Sequence, residues 1–176
     1  ITLRQLRHPL LVWQQQYEQG FPVVPIDLTI HPHIRVVAIT GPNTGGKTVT
    51  LKTLGLAALM AKAGMFVAAR EPVELPWFDN ILADIGDEQS LQQSLSTFSG
   101  HIRRISRILE ALGNPPATDN SENSNQLPIP KSLVLLDEVG AGTDPSEGSA
   151  LAIALLQYLA AHSLLSVATT HFGELK

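Results

Sequence analysis

The stretch that decides the fold is Ile34-Arg-Val-Val-Ala-Ile-Thr40, followed directly by Gly41-Pro-Asn-Thr-Gly-Gly46-Lys47-Thr48. The first part is apolar and β-branched, which is typical of a buried parallel strand. After the glycine-rich turn, apolar residues recur at helical spacing and predict a helix over Thr48–Lys62. A glycine-rich turn between such a strand and helix matches the pattern G-x-x-x-x-G-K-[ST], which binds phosphates.

The residue types in this loop suit that chemistry. Glycines allow backbone N–H groups to curl round phosphates, and the helix points its positive end at them. Lys47 would neutralise the β- and γ-phosphates, and the Thr48 hydroxyl would bind Mg²⁺. The alternative is a turn with a chance lysine, but chance matches should arise on the order of 1% of the time. We therefore expect ATP to contact Gly41, Pro42, Asn43, Thr44, Gly45, Gly46, Lys47 and Thr48.

Strand and helix patterns alternate along the rest of the chain. The expected strands are Met65–Ala68, Asn80–Asp84, Ser132–Leu136 and Leu164–Thr169. The expected helices are Glu88–Leu112 and Asp144–His162. This order predicts an α/β fold with a mainly parallel sheet flanked by helices on both faces.

Two carboxylates follow one of the apolar strands, at Asp137 and Glu138. Open α/β sheets bind ligands at the carboxyl ends of their strands. Asp137 would hold Mg²⁺ directly or through water, and Glu138 would polarise the attacking water. An acidic pair that merely ends a strand is the alternative, and a complete phosphate loop upstream makes that alternative weak.

A histidine ends a further strand in Thr169-Thr170-His171. A lone histidine is more often structural than functional. His171 is expected at the same sheet edge as the two motifs, and this position favours a functional role over a structural one. We expect His171 to contact the γ-phosphate or the attacking water.

Composition limits the classes of function. The formal net charge is −4, so the segment lacks the basic excess of a nucleic-acid-binding surface. There are no cysteines, which excludes disulfides and thiolate metal sites and fits a cytoplasmic protein. The apolar stretches Thr53–Ala69 and Ser149–Ala161 are interrupted or too short to span a bilayer, which predicts no membrane contact.

The segment Gly113–Pro130 is rich in Pro, Asn and Ser and shows no periodicity. We interpret it as a flexible, dispensable surface insertion within a single domain over residues 1–176. The sequence stops at Lys176, directly after a strand and a predicted active-site turn, which suggests that the domain is truncated at its C-terminal end.

Taken together, the motifs resemble the MutS family of DNA-associated ATPases, within the wider ABC-type class. The matching stretches run over nearly the whole chain: the phosphate loop, Arg7-His8-Pro9, Ile85-Gly86, Ser96-Thr97-Phe98, Leu136-Asp137-Glu138, Gly140-Ala-Gly142-Thr143 and Thr170-His171-Phe172-Gly-Glu174-Leu175.

Three stretches resemble the bacterial type-two branch of that family: Asp84–Ser90, Ser94–His101 and Gly140–Gly148. Type-two members generally lack mismatch-reading domains and carry a C-terminal Smr nuclease domain. They are associated with suppressing homologous recombination and, in some bacteria, with rescuing collided ribosomes.

The resemblance implies a homodimer in which two ATPase domains enclose two ATP molecules. Ser96 matches the signature serine that completes the partner's site, and Asp144 lies in the loop expected to cross the interface. For the adenine contact Phe21 and Val23 are both candidates. Contacts with DNA, and with ribosomes or rRNA, would belong to regions outside this segment. Nuclease activity would also belong to a region outside it.

Other P-loop proteins are the alternatives. A nucleotide-binding subunit of another ABC-type machine, such as an ABC transporter, would carry an L-S-G-G-Q stretch shortly before the strand that precedes Asp137. A Pro- and Asn-rich segment lies there instead. A small-molecule kinase usually lacks an acid at the position of Glu138. A nucleotide-gated binding module that hardly hydrolyses fits poorly with Glu138 and His171 both present.

Overall fold

The computed structural model of the chain describes residues 1–42, 45–86, 94–113 and 131–171, with side chains from residue 98 onward in the third range. The strands in these ranges are β1 (Thr2–Leu6), β2 (Ile26–Thr29), β3 (Val36–Thr40), β4 (Arg70–Glu74), β5 (Asn80–Asp84), β6 (Ser132–Leu136) and β7 (Leu165–Thr170). The helices are α1 (Pro9–Tyr17), α2 (Lys47–Lys62), α3 (Ser94–Gly113) and α4 (Pro145–His162).

Four strands form a parallel sheet in the order β3-β7-β6-β5. The pairing is in register from Val36↔Ser166 to Thr40↔Thr170, and from Asn80↔Ser132 to Asp84↔Leu136. The carboxyl ends of all four strands therefore meet at one edge. The predicted parallel sheet and its flanking helices are confirmed.

Both faces of this sheet are buried, and β6 shows it residue by residue. Leu133 and Leu135 pack in a core with α2, whereas Val134 and Leu136 pack in a second core with α3 and α4. The whole of β6 is buried, which explains the apolar run Leu133–Leu136 within it. On the α2 side the approach is close, since a Cβ on Gly55 would lie 2.5 Å from Leu135 Cδ1.

A second, antiparallel sheet has the order β2-β1-β4. The predicted strand Met65–Ala68 is wrong. Gly64 turns the chain with φ +73°, Phe66 is 98% exposed, and regular pairing begins only at Arg70. The sequence of β4, Arg70-Glu-Pro-Val-Glu74, is mostly charged and exposed throughout, so only its pairing with β1, far away in the chain, makes it a strand.

The other predicted elements are confirmed with small changes at their ends. Asp144 is the N-cap of α4 and not its first helical residue. Of the predicted helix Glu88–Leu112, the part from Ser94 is confirmed; the part before it lies outside the described residues. Of the predicted insertion, only Gly113, the last residue of α3, is described. None of the helices in the described ranges has the length and hydrophobicity of a membrane-spanning segment.

Candidate nucleotide and metal site

The glycine-rich loop joins β3 to α2 at the carboxyl edge of the sheet. Gly41 has φ +146° and Gly46 has φ +74°, conformations that side-chain-bearing residues rarely adopt. Gly45 N donates to Pro42 O at 3.0 Å, which tightens the loop. Lys47 is buried, and its Nζ donates to Gly41 O, so its ammonium lies back across the loop. Asn43 and Thr44 lie outside the described residues.

The predicted metal ligands Thr48 and Asp137 are brought together. Thr48 Oγ1 donates to Asp137 Oδ1 at 3.1 Å, although the two residues lie on different elements. Mg²⁺ prefers hard oxygen ligands and uses one or two protein groups together with substrate phosphates. A hydroxyl and a carboxylate oxygen at this separation fit that requirement. In the described ranges no group of three or more His, Asp or Glu side chains forms a metal cage.

Glu138 and His171 also meet at this edge. Glu138 Oε1 lies 3.2 Å from His171 Nε2, and both side chains are partly exposed. The backbone of Glu138 is left-handed, with φ +50°, which is unusual for a residue with a long side chain. Unfavourable backbone conformations of this kind cluster at functional sites.

Thr169 is a residue whose role the sequence did not predict. Its buried hydroxyl donates to Asp137 Oδ1 at 2.5 Å and accepts from the Glu138 N–H at 2.8 Å. Its carbonyl accepts from Val139 N at 3.0 Å. One side chain thus fixes the carboxylate of one acid and the backbone of the next. The signal in the sequence is weak, because Thr169 is one of three hydroxyl-bearing residues in β7, Leu165-Ser-Val-Ala-Thr-Thr170.

A cavity of about 480 Å³ opens beside the glycine-rich loop. Phe21 and Val23 both line it, together with Gly46 and Thr50 of the loop and helix α2. The segment that carries them is held by a hydrogen bond from Val23 N to Gln15 Oε1 at 3.0 Å. Both adenine candidates therefore face the same space, and Phe21 is 95% exposed there.

The two predicted interface residues stay predictions. Ser96 is the third residue of α3, and its side chain lies outside what the structure describes. Asp144 accepts hydrogen bonds from the hydroxyl and the N–H of Ser146, which hold the pKa of its carboxyl below the ordinary value. These contacts account for Asp144 as a helix cap.

The fold and the site define a class: α/β domains in which a glycine-rich loop faces an acidic strand end at the carboxyl edge of a parallel sheet. Within that class, residues 37–176 match the family model of MutS domain V. The chain therefore belongs to the MutS family, as its motifs predicted.

Relatives named "Endonuclease MutS2" match over the whole chain. The identity is 71% with the protein of Synechocystis sp., 52% with that of Shouchella clausii and 50% with that of Caldicellulosiruptor bescii. The predicted resemblance to the type-two branch is thereby confirmed. The chain spans 22% of the first relative's length and 19% of the lengths of the other two.

Proposed function

We propose that this domain binds Mg-ATP and hydrolyses it at the carboxyl edge of the parallel sheet. The observation that carries the proposal is the chain of contacts from Thr48 through Asp137 and Thr169 to Glu138. It links the helix that follows the phosphate loop to the two acids. Membership in the MutS family supports the same function.

Each group has a definite task in this proposal. Lys47 and the loop N–H groups hold the phosphates, and Thr48 and Asp137 hold the cation. When bound, Mg²⁺ supplies positive charge to the phosphate oxygens. Glu138 accepts a hydrogen bond from the attacking water and takes up its proton. His171 orients the Glu138 carboxylate and would contact the water or the terminal phosphate.

The base of the nucleotide would occupy the cavity beside the loop. Phe21 is aromatic and exposed there, which suits stacking on adenine, whereas Val23 offers apolar contact only. We propose Phe21 as the stacking residue. Val23, whose N–H is fixed by Gln15, would form part of the cavity wall.

Thr169→Val is expected to lower both stability and turnover. The substitution keeps the shape of the side chain but removes the acceptor for the Glu138 N–H and one donor to Asp137. Losing a partner at a part-buried donor costs about 1–3 kcal/mol. Urea unfolding and steady-state ATP turnover measure the two effects. Thr169→Ser is the matched control because it keeps the hydroxyl, and equal behaviour of the two variants would exclude the hydroxyl as the cause.

The biological role we propose is that of a type-two MutS protein. ATP binding and hydrolysis would drive movements of attached regions that engage branched DNA and, in addition, ribosomes or rRNA. Nuclease activity would come from a domain outside this segment, in keeping with the name of the relatives, Endonuclease MutS2. The test is ATP turnover by the full-length protein with branched DNA or with ribosomes added. Stimulation by neither would contradict this role.

We further propose that the domain works as a homodimer, with Ser96 acting on the partner's ATP and Asp144 near the interface. A mixture of Ser96→Arg and Glu138→Gln subunits, each inactive alone, should then regain turnover. In a mixed dimer the Ser96→Arg subunit keeps its own Glu138 and receives an intact Ser96 from its partner. No recovery in demonstrated mixed dimers would count against action across the dimer.

The alternative is a nucleotide-binding subunit of another ABC-type machine. The family match over residues 37–176 weighs against it, and so does the identity with type-two relatives along the whole chain. ATP turnover that responds to neither DNA nor ribosomes would favour this alternative.

A further inference from the structure

A charged cluster built on a buried carboxylate lies beside the candidate site, and the proposed nucleotide chemistry does not use it. Asp84, the last residue of β5, is 2% exposed. Its Oδ2 lies 2.6 Å from His101 Nδ1, and its Oδ1 accepts a hydrogen bond from Arg104 Nε. Both partners belong to α3, so the cluster joins the edge of the sheet to that helix.

The protonation states in the cluster follow from its geometry. Burial alone would raise the pKa of Asp84, but hydrogen bonds and charge from His101 and Arg104 hold it below the ordinary value. A carboxylate only accepts, so His101 Nδ1 carries the hydrogen that it donates. The 3.3 Å approach of Arg104 Nη2 to that nitrogen is then a contact and not a hydrogen bond.

The cluster lies next to the acidic pair of the site. Asp84 O accepts a hydrogen bond from Asp137 N at 2.9 Å, which extends the pairing of β5 with β6. A second contact of α3 lies near the same edge. A Cβ on Gly142 would be 3.4 Å from Phe98 Cβ, so the loop after Glu138 runs closely over the helix.

The two halves of α3 are held in different ways. Ile105, Ile108, Leu109 and Leu112, in the C-terminal half, pack in the core with β6 and α4. Towards the N-terminus Ile102 is 36% exposed, and the contacts described for this part of the helix include the Asp84 cluster and the approach of Phe98 to Gly142. The contacts of Asp84 with His101 and Arg104 therefore join the N-terminal part of the described helix to the end of β5.

We propose that Asp84, His101 and Arg104 are positioning residues for ATP hydrolysis, because they fix the N-terminal half of α3 and hence Ser96 relative to the edge that carries Asp137. The inference rests on the proposed action of Ser96 on the partner's nucleotide. Asp84 is buried and Arg104 is 40% exposed, so the pair contributes little net stability, but it can select one geometry. Here that geometry is the angle between the axis of α3 and the sheet.

A small change of this angle has a large effect at Ser96. At about 1.5 Å rise per residue, Ser96 lies about 12 Å along the helix from Arg104. A pivot of about 5° at Arg104 would therefore move it by about 1 Å. A misplacement of about 1 Å at a catalytic site can cost on the order of 10²-fold in rate.

The test uses Arg104→Ala in the full-length protein, with Arg107→Ala as the matched control. Arg107 is exposed on the same helix, one turn further on. We expect Arg104→Ala to lower kcat about 10- to 100-fold, with Kd for ATP within about twofold and Arg107→Ala unchanged. Wild-type kcat in Arg104→Ala would overturn the inference, while turnover by the unchanged protein would leave the proposed ATPase function standing.

A second pair of variants covers the case in which Arg104→Ala fails to fold. His101→Phe removes the ring N–H that contacts Asp84, whereas His101→Asn keeps a donor close to the position of Nδ1. We expect His101→Phe to lose turnover and His101→Asn to keep most of it. Equal kcat values in the two variants would overturn the inference.

Mixed dimers show whether Arg104→Ala acts through Ser96 on the partner's site or damages the site of its own subunit. Arg104→Ala subunits combined with Glu138→Gln subunits should regain turnover, because the Arg104→Ala subunit keeps its own Glu138 and receives an intact α3. Without recovery, the cluster acts on its own subunit's site, and the inference is overturned. If the mixture of Ser96→Arg and Glu138→Gln subunits also regains no turnover, the proposed action of Ser96 across the dimer is contradicted as well.

Discussion

Lys47→Ala is expected to weaken ATP binding by about 10²-fold or more. Lys47 carries the ammonium of the phosphate loop, and its Nζ already lies against Gly41 O at the start of that loop. Charge-assisted hydrogen bonds contribute about 1.5–3 kcal/mol each, and about 1.4 kcal/mol corresponds to a tenfold change in affinity. Equilibrium binding of a labelled ATP analogue with Mg²⁺ measures the effect.

Two further variants make the loss at Lys47 interpretable. Because Lys47 is buried, alanine also leaves a space, and Lys47→Met fills that space without restoring the charge. Lys52→Ala removes one positive charge from the same helix outside the loop. Weak binding by both Lys47 variants but not by Lys52→Ala assigns the effect to the ammonium. Unchanged affinity in Lys47→Met would refute the phosphate-loop assignment.

Glu138→Gln is expected to bind ATP normally and to lose turnover by about 10²–10⁴-fold, the usual contribution of one general acid or base. The amide keeps the shape of the side chain and a contact with His171 Nε2, but it no longer accepts a proton. Single-turnover hydrolysis and ATP binding, measured on the same preparation of full-length protein, separate the two steps. A trapped ATP-bound dimer should accumulate.

Glu110→Gln provides the matched control for Glu138→Gln. Glu110 is an exposed carboxylate on α3, remote in sequence from the acidic pair, so its neutralisation should leave turnover unchanged. If Glu138→Gln hydrolyses ATP within tenfold of the unchanged protein, another group activates the water. His171, which lies 3.2 Å from the carboxylate, is then the next candidate.

Features that depend on neighbouring residues were predictable from sequence. The glycine-rich loop, the parallel strands and the acidic strand end each have a local pattern, and their shared edge follows from the rule for parallel sheets. Features that depend on distant pairing were not predictable. The polar strand β4 exists because it pairs with β1, and the apolar segment Met65–Ala68 stays outside the sheet.

In the candidate site, too, some contacts were predictable from local motifs and others depend on distant parts of the chain. The meeting of Asp137 with Thr48 was expected from their motifs, and the structure brings the two side chains together. The double role of the Thr169 hydroxyl depends on the register of β6 against β7, which no local pattern contains. The same holds for Asp84, because its partners come from a helix that packs against the sheet from elsewhere in the chain.

The alternation of β6 between two cores has a consequence for mutational screens of this domain. Neighbouring positions in one strand report on different parts of the molecule: Leu135 packs with the helix that follows the phosphate loop, and Leu136 packs with α3 and α4. The effects of conservative substitutions in β6 should therefore differ between odd-numbered and even-numbered positions. Odd positions would act first on α2 and the glycine-rich loop before it, and even positions on α3 and α4.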